Sequence, residues 1–222
     1  MLHGAIGSSV QLEPLAEKLK TNFGIYLLNF TGHGGKPIPE DPFSIEMFAD
    51  DVTYFVKKNK LEGINVFGYS MGGYVALYIA RHYPELINKI FTTATKFIWS
   101  EETSLKESAM LDAEKIQEKL PEFAGQLSAR HSPEDWRMVL KKTAEMMINL
   151  GKNRTLKDED FELIENEVLV SAGDRDNMVS IEETLKIYRK LENGRLLILP
   201  GTKHPVEKVD LDRLSAEIRM FF

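Results

Sequence analysis

The chain contains no cysteine. Disulfides, thiolate metal sites and cysteine nucleophiles are therefore excluded. It has no run of 18 apolar residues, so no segment reads as a membrane span, and its first residues do not read as a secretory leader. The expectation is a cytoplasmic protein without a membrane partner. Basic residues are not in surplus: 28 Lys and Arg face 34 Asp and Glu, a net charge of −6. Nothing there neutralises phosphates, which argues against a nucleic-acid partner. The Gly-rich stretch 31–37 lacks the G-x-G-x-x-G order and a Walker Lys-Ser/Thr, so it does not cradle a nucleotide. The five histidines are scattered, with neither H-x-x-x-H nor H-x-H spacing, so no metal site and no cofactor are expected.

What is present suits one large α/β domain or two small ones. The 222 residues are 43% hydrophobic and 28% charged, enough to bury a sizeable core. The chain opens on the tail of a strand and a Gly/Ser loop, 1–9. A helix follows, with Pro14 in its first turn and Leu12, Leu15, Ala16 and Leu19 on one face. Residues 24–30 read as a buried parallel strand. Ser44 reads as the N-cap of a helix whose stripe is Ile45, Phe48, Val52, Phe55 and Val56. Residues 64–67 read as a strand, 74–83 as a helix ended by Pro84, and 87–94 as a strand.

From 96 to 166 the pattern turns helical, with no convincing strand. Ser132 reads as the N-cap of its best helix, with Pro133 at the first position and Asp135 at the third; Gly151 closes it. Strand–helix alternation then resumes. Strands are expected at 167–172 and 195–199, helices at 180–192 and 210–222. Ser180 and Glu183 read as a capping box. Alternation on both sides of a helical insertion implies a mostly parallel sheet covered on both faces. The expected domains are an α/β core, 1–95 and 167–222, and a helical cap, 96–166.

The chemistry centres on Gly68-Tyr69-Ser70-Met71-Gly72-Gly73. A strand, a tight turn with Ser at its apex, and a helix make a nucleophile elbow. Gly68 and Gly72 let the two elements come close, and the helix N-terminus favours an oxyanion beside the Ser. A serine hydroxyl needs a base, and the base needs an acid to orient it. Both must sit on loops at the carboxyl ends of parallel strands. The loop after 167–172 offers Asp174 and Asp176, of which the deeper Asp176 is preferred. The loop after 195–199 offers His204. The order Ser, acid, His is the one expected with this elbow. His3, His33, His82 and His131 are worse placed.

Oxyanion donors are expected from the N–H of Met71 and from the His3-Gly4-Ala5 loop, with Ala5 preferred and Ile6 the alternative. His3 and Gly4 are expected only to shape that turn. Phe97, Trp99 and Met138, with Met110, Met146 and Met147, are candidates to line an apolar, adaptable pocket, although residues at this spacing more often pack a core.

Together these residues resemble the α/β-hydrolase superfamily, in its Ser-nucleophile branch of small esterases, enol-lactonases and C–C hydrolases. The matching pieces are Leu2-His3-Gly4-Ala5, Asn29-Phe30-Thr31-Gly32-His33-Gly34, the elbow, Gly173-x-x-Asp176 and Gly201-x-x-His204. The resemblance implies an α/β-hydrolase fold and Asp176 as the acid. It also implies Ala5 as the loop's oxyanion donor, a helical cap over the site, and a small-molecule substrate. Asn29 and Lys36 depart from the usual Asp and Ser, and Tyr74 stands where a menaquinone-pathway hydrolase carries Arg. The family also has two or more strands before the His-Gly loop, and these N-terminal strands are missing here. If the chain begins at Met1, Ala5 is expected on a fraying segment, with weak activity or a homo-oligomer completing the sheet.

Overall fold

The computed structural model describes residues 1–222. Four parallel strands form the sheet in the order β1 (Ile64–Tyr69), β2 (Ile87–Thr93), β3 (Glu167–Gly173), β4 (Gly194–Leu199). Period-two alternation sends successive side chains to opposite faces. Val66, Ile90, Val168 and Val170 enter one apolar cluster; Phe67, Phe91 and Leu169 enter the other. Each cluster has its own helices. The first is closed by α2 (Ile45–Lys58), α3 (Met71–His82) and α9 (Ile181–Tyr188). The second is closed by α1 (Glu13–Leu19) and α10 (Leu211–Phe221). Strands buried on both sides read as continuous apolar runs, which is why they were visible in the sequence.

The start of the chain is pinned. Leu2 is fully buried and bridges β1 on one side and Leu28 on the other. Its N–H donates to Phe67 O at 2.9 Å, and its carbonyl accepts from Tyr69 N–H at 3.0 Å. Leu28 N–H reaches Met1 O, and the Met1 ammonium reaches Tyr26 O. The expected strand at 24–30 is corrected: of these residues only Leu28 forms a bridge, to Leu2.

Between β2 and β3 lie five helices and no strand: α4 (Glu101–Ser108), α5 (Ala113–Lys119), α6 (Pro121–His131), α7 (Trp136–Lys152) and α8 (Asp158–Glu162). The cap of α7 is Asp135, whose carboxylate accepts from Arg137 N–H at 3.0 Å, and not Ser132. The Glu134 carboxylate accepts from the Ile38 N–H at 3.2 Å. Gly151 lies within α7, which runs on to Lys152.

The Ser180 box is half formed. Ser180 Oγ accepts from Glu183 N–H. The Glu183 carboxylate, however, accepts from the Phe97 and Ile98 N–H groups, both at 2.6 Å, and faces Lys96 Nζ at 3.6 Å. That anchor fixes the chain leaving β2 and seats Phe97 edge-on to Phe161 in the core.

Candidate active site

Three strand ends meet at the carboxyl edge of the sheet. Ser70 follows β1 as the residue before α3, with φ 51° and ψ −117°. A non-glycine residue at positive φ costs on the order of 1–3 kcal/mol and persists only where its surroundings over-determine it. Here Ser70 N–H donates to Thr93 O at 2.9 Å, and Ser70 O accepts from Thr95 Oγ1 at 3.0 Å. Close packing does the rest. A Cβ on Gly68 would lie 2.5 Å from Gly73 Cα, so the strand and its own helix meet there. A Cβ on Gly72 would collide with Leu2 O, so the helix's first turn rests on the backbone entering the His3-Gly4-Ala5 loop.

His204 joins the other two loops to Ser70. Its Nδ1 lies 2.8 Å from Asp176 Oδ2, and its Nε2 lies 3.5 Å from Ser70 Oγ. An ionised carboxylate only accepts, so Nδ1 carries the proton and the Nε2 lone pair faces the hydroxyl. The 3.5 Å separation is at the outer limit of hydrogen-bond reach. Asp176 Oδ1 accepts from Met178 N–H at 2.8 Å and Val179 N–H at 2.9 Å. Burial pushes the Asp176 carboxyl up. The hydrogen bond from His204, with the two backbone donors, outweighs burial and holds it below the usual carboxylate range. Asp174 is exposed. Tyr69, unremarked in the sequence, donates its phenol O–H to His204 O at 2.9 Å.

Ala5 and Met71 both border the cavity that opens over Ser70, of about 570 Å³. The turn Gly4–Gly7 carries Ala5, closed by Gly7 N–H to Gly4 O at 3.1 Å. Trp99, Met110, Met146 and Met147 line the cavity as expected. Phe97 and Met138 do not, which corrects two candidate pocket residues. Phe97 is core, held there by the Glu183 anchor, and Met138 faces out on α7, 39% exposed. Polar groups missed in the sequence also line the cavity: Lys96, Gln126, Arg130 and Glu207. No local pattern marks them, because their partners lie far away in the chain.

Behind the turn three buried histidines pack in a row, His3 to His33 at 5.3 Å and His33 to His131 at 5.7 Å between ring centres. His3 does more than shape a turn: its Nε2 accepts from Phe30 N–H and its Nδ1 donates to Gly4 O. Burial lowers the pKa of all three, that of His33 to about 4. The unfolded chain therefore binds protons below about pH 6.5 that the folded chain refuses. The stability is complete above that pH and is lost as pH falls towards 4. His33 alone contributes about 2 kcal/mol of this loss at pH 5, at roughly 1.4 kcal/mol per unit. The expected result is a lower urea midpoint at pH 5 than at pH 7.5. Equal midpoints would show that these rings are not held neutral.

Residues 1–135 match the family model described as alpha/beta hydrolase fold. The chain belongs to the α/β-hydrolase fold family. Among relatives of this α/β-hydrolase is a Saccharomyces cerevisiae protein described as a probable alcohol acetyltransferase. It is 30% identical over 95 residues, 40% of this chain and 28% of that protein. A pimeloyl-[acyl-carrier protein] methyl ester esterase of Neisseria meningitidis is 28% identical over 95 residues, 43% of this chain and 35% of the esterase. The match thus spans about a third of these relatives. The enol-lactonase of Burkholderia xenovorans superposes with a TM-score of 0.79 at 17% identity, covering 99% of this chain and 88% of that one. At that identity the likeness concerns the fold. No helix of this α/β-hydrolase is long and apolar enough to cross a membrane.

Proposed function

We propose that this chain is a serine hydrolase that cleaves an ester or related acyl bond of a small, mostly apolar molecule. The observation that carries this is His204, placed between Asp176 and Ser70 at the floor of a 570 Å³ cavity. In the proposed reaction His204 Nε2 takes the Ser70 proton as Oγ attacks the substrate carbonyl. The N–H groups of Ala5 and Met71 receive the oxyanion, and Asp176 steadies the imidazolium. The imidazolium then gives its proton to the leaving alcohol. Water, deprotonated by His204, releases the acid and restores Ser70. Segment 96–166 acts as the cap, since Trp99, Met110, Met146 and Met147 within it line the cavity.

The esterase among the relatives agrees with this reading. A lactone or a C–C bond cleaved by the same residues is the second reading. It is favoured by the cavity's charged wall, where Arg130 and Glu207 suit a substrate with more oxygen than a simple ester. A fluorophosphonate probe and a panel of short p-nitrophenyl esters and lactones test the proposal. Labelling at Ser70 with turnover of esters is expected. A folded sample that neither labels nor turns over would instead be a ligand-binding protein.

A further inference from the structure

The turn that carries Ala5 is gripped by the helical segment above it. Ile6 has φ 52°, a conformation that a β-branched residue rarely adopts. Its side chain packs on the cluster of Ile116, Ala124, Leu127, Trp136 and Leu140. Its carbonyl lies 3.1 Å from Arg130 Nη1 and 3.1 Å from His131 Nε2, both in the last turn of α6. His131 Nδ1 accepts from Gly34 N–H at 3.3 Å, so Nε2 carries the proton and donates to Ile6 O. Arg130 is held in turn near Glu207, three residues past His204, at 3.9 Å.

We infer that Arg130 and His131 are positioning residues for the oxyanion donor: their two N–H groups on the Ile6 carbonyl hold the turn that aims the Ala5 N–H. This rests on the serine-hydrolase reading above. Without those donors the strained Ile6 backbone is free to rotate to negative φ, and the Ala5 peptide one residue back moves with it. A carbonyl that accepts two donors, one of them charged, resists that rotation. The oxyanion is met only in the transition state, so the effect falls on kcat and leaves substrate affinity alone.

The test compares Arg130→Met, His131→Leu and His131→Gln with the wild-type chain. It uses p-nitrophenyl acetate kinetics, fluorophosphonate labelling of Ser70, phenylboronic acid inhibition and thermal melts. Arg130→Met and His131→Leu are expected to lower kcat by about 10–100-fold with KM within about threefold, less than loss of an oxyanion donor itself. The inhibition constant of phenylboronic acid, whose adduct is tetrahedral, is expected to rise by the same factor. His131→Gln keeps an N–H at the Nε2 position and is expected to recover most of the activity. A raised KM at unchanged kcat would overturn the inference and make Arg130 a substrate contact. A lower melting temperature with unchanged kcat and boronate affinity would overturn it too. If buried His131→Leu does not fold, Arg130→Met decides the question. A wild-type chain that neither labels nor turns over overturns the hydrolase reading, and the inference with it; labelling and turnover with unaltered variants overturns the inference alone.

Discussion

Ser70→Ala is expected to fold as the parent does and to lose ester turnover by about 10⁴–10⁶-fold, since removal of a triad nucleophile leaves only what the oxyanion site and binding provide. Folding is expected to survive because the hydroxyl makes one contact, the 3.5 Å approach to His204. Everything that fixes the turn is backbone or belongs to neighbours: the N–H on Thr93 O, the carbonyl under Thr95 Oγ1, and the glycine contacts at Gly68 and Gly72. Alanine meets the same φ of 51° that serine does, so the local strain is unchanged. Turnover assays and a thermal melt on the same preparation check both halves. Retained turnover would place the chemistry elsewhere.

Asp176→Asn is expected to lower kcat by about 10³–10⁴-fold while Asp174→Asn leaves it within about twofold. The reason is the direction of one proton. Asparagine can keep its carbonyl on the Met178 and Val179 N–H groups, as Asp176 Oδ1 does now. Its amide then donates towards His204 Nδ1, where the carboxylate accepted at 2.8 Å. The imidazole must shift its proton to Nε2, and the lone pair that faced Ser70 is lost. Fold and binding stay, so the loss appears in kcat. Asp174 is exposed and touches neither partner through its side chain, which makes it the control. Equal losses at the two positions would move the acid away from Asp176.

Much of the site was legible because its parts are local. An elbow is six consecutive residues, and the loops with Asp176 and His204 each follow an apolar strand run. The rest depended on distance in the chain. Glu183 sits where a capping box would use it, yet its carboxylate serves Phe97 and Ile98, 86 and 85 residues away, and so decides that Phe97 is core. Glu134 turns to the Ile38 N–H, 96 residues away, and the α7 cap is Asp135 and not Ser132. Arg130 and His131 look like the unexceptional end of a helix until Ile6, 124 and 125 residues earlier, is brought against them. The strand expected at 24–30 has the right composition, but a ladder also needs paired residues, and of these only Leu28 forms a bridge, to Leu2.

Leu2 has a mechanical consequence. It is bonded to Phe67 and Tyr69, so the Gly4–Gly7 turn and Ser70 follow neighbouring rungs of one ladder. Two backbone hydrogen bonds therefore tie their spacing directly. His204 rides elsewhere, on the loop beyond edge strand β4, with β2 and β3 in between. No strand pairing joins β1 to β4, so none ties Ser70 directly to His204. The phenol of Tyr69, reaching from the nucleophile's own strand to the backbone of His204, is the strut between them.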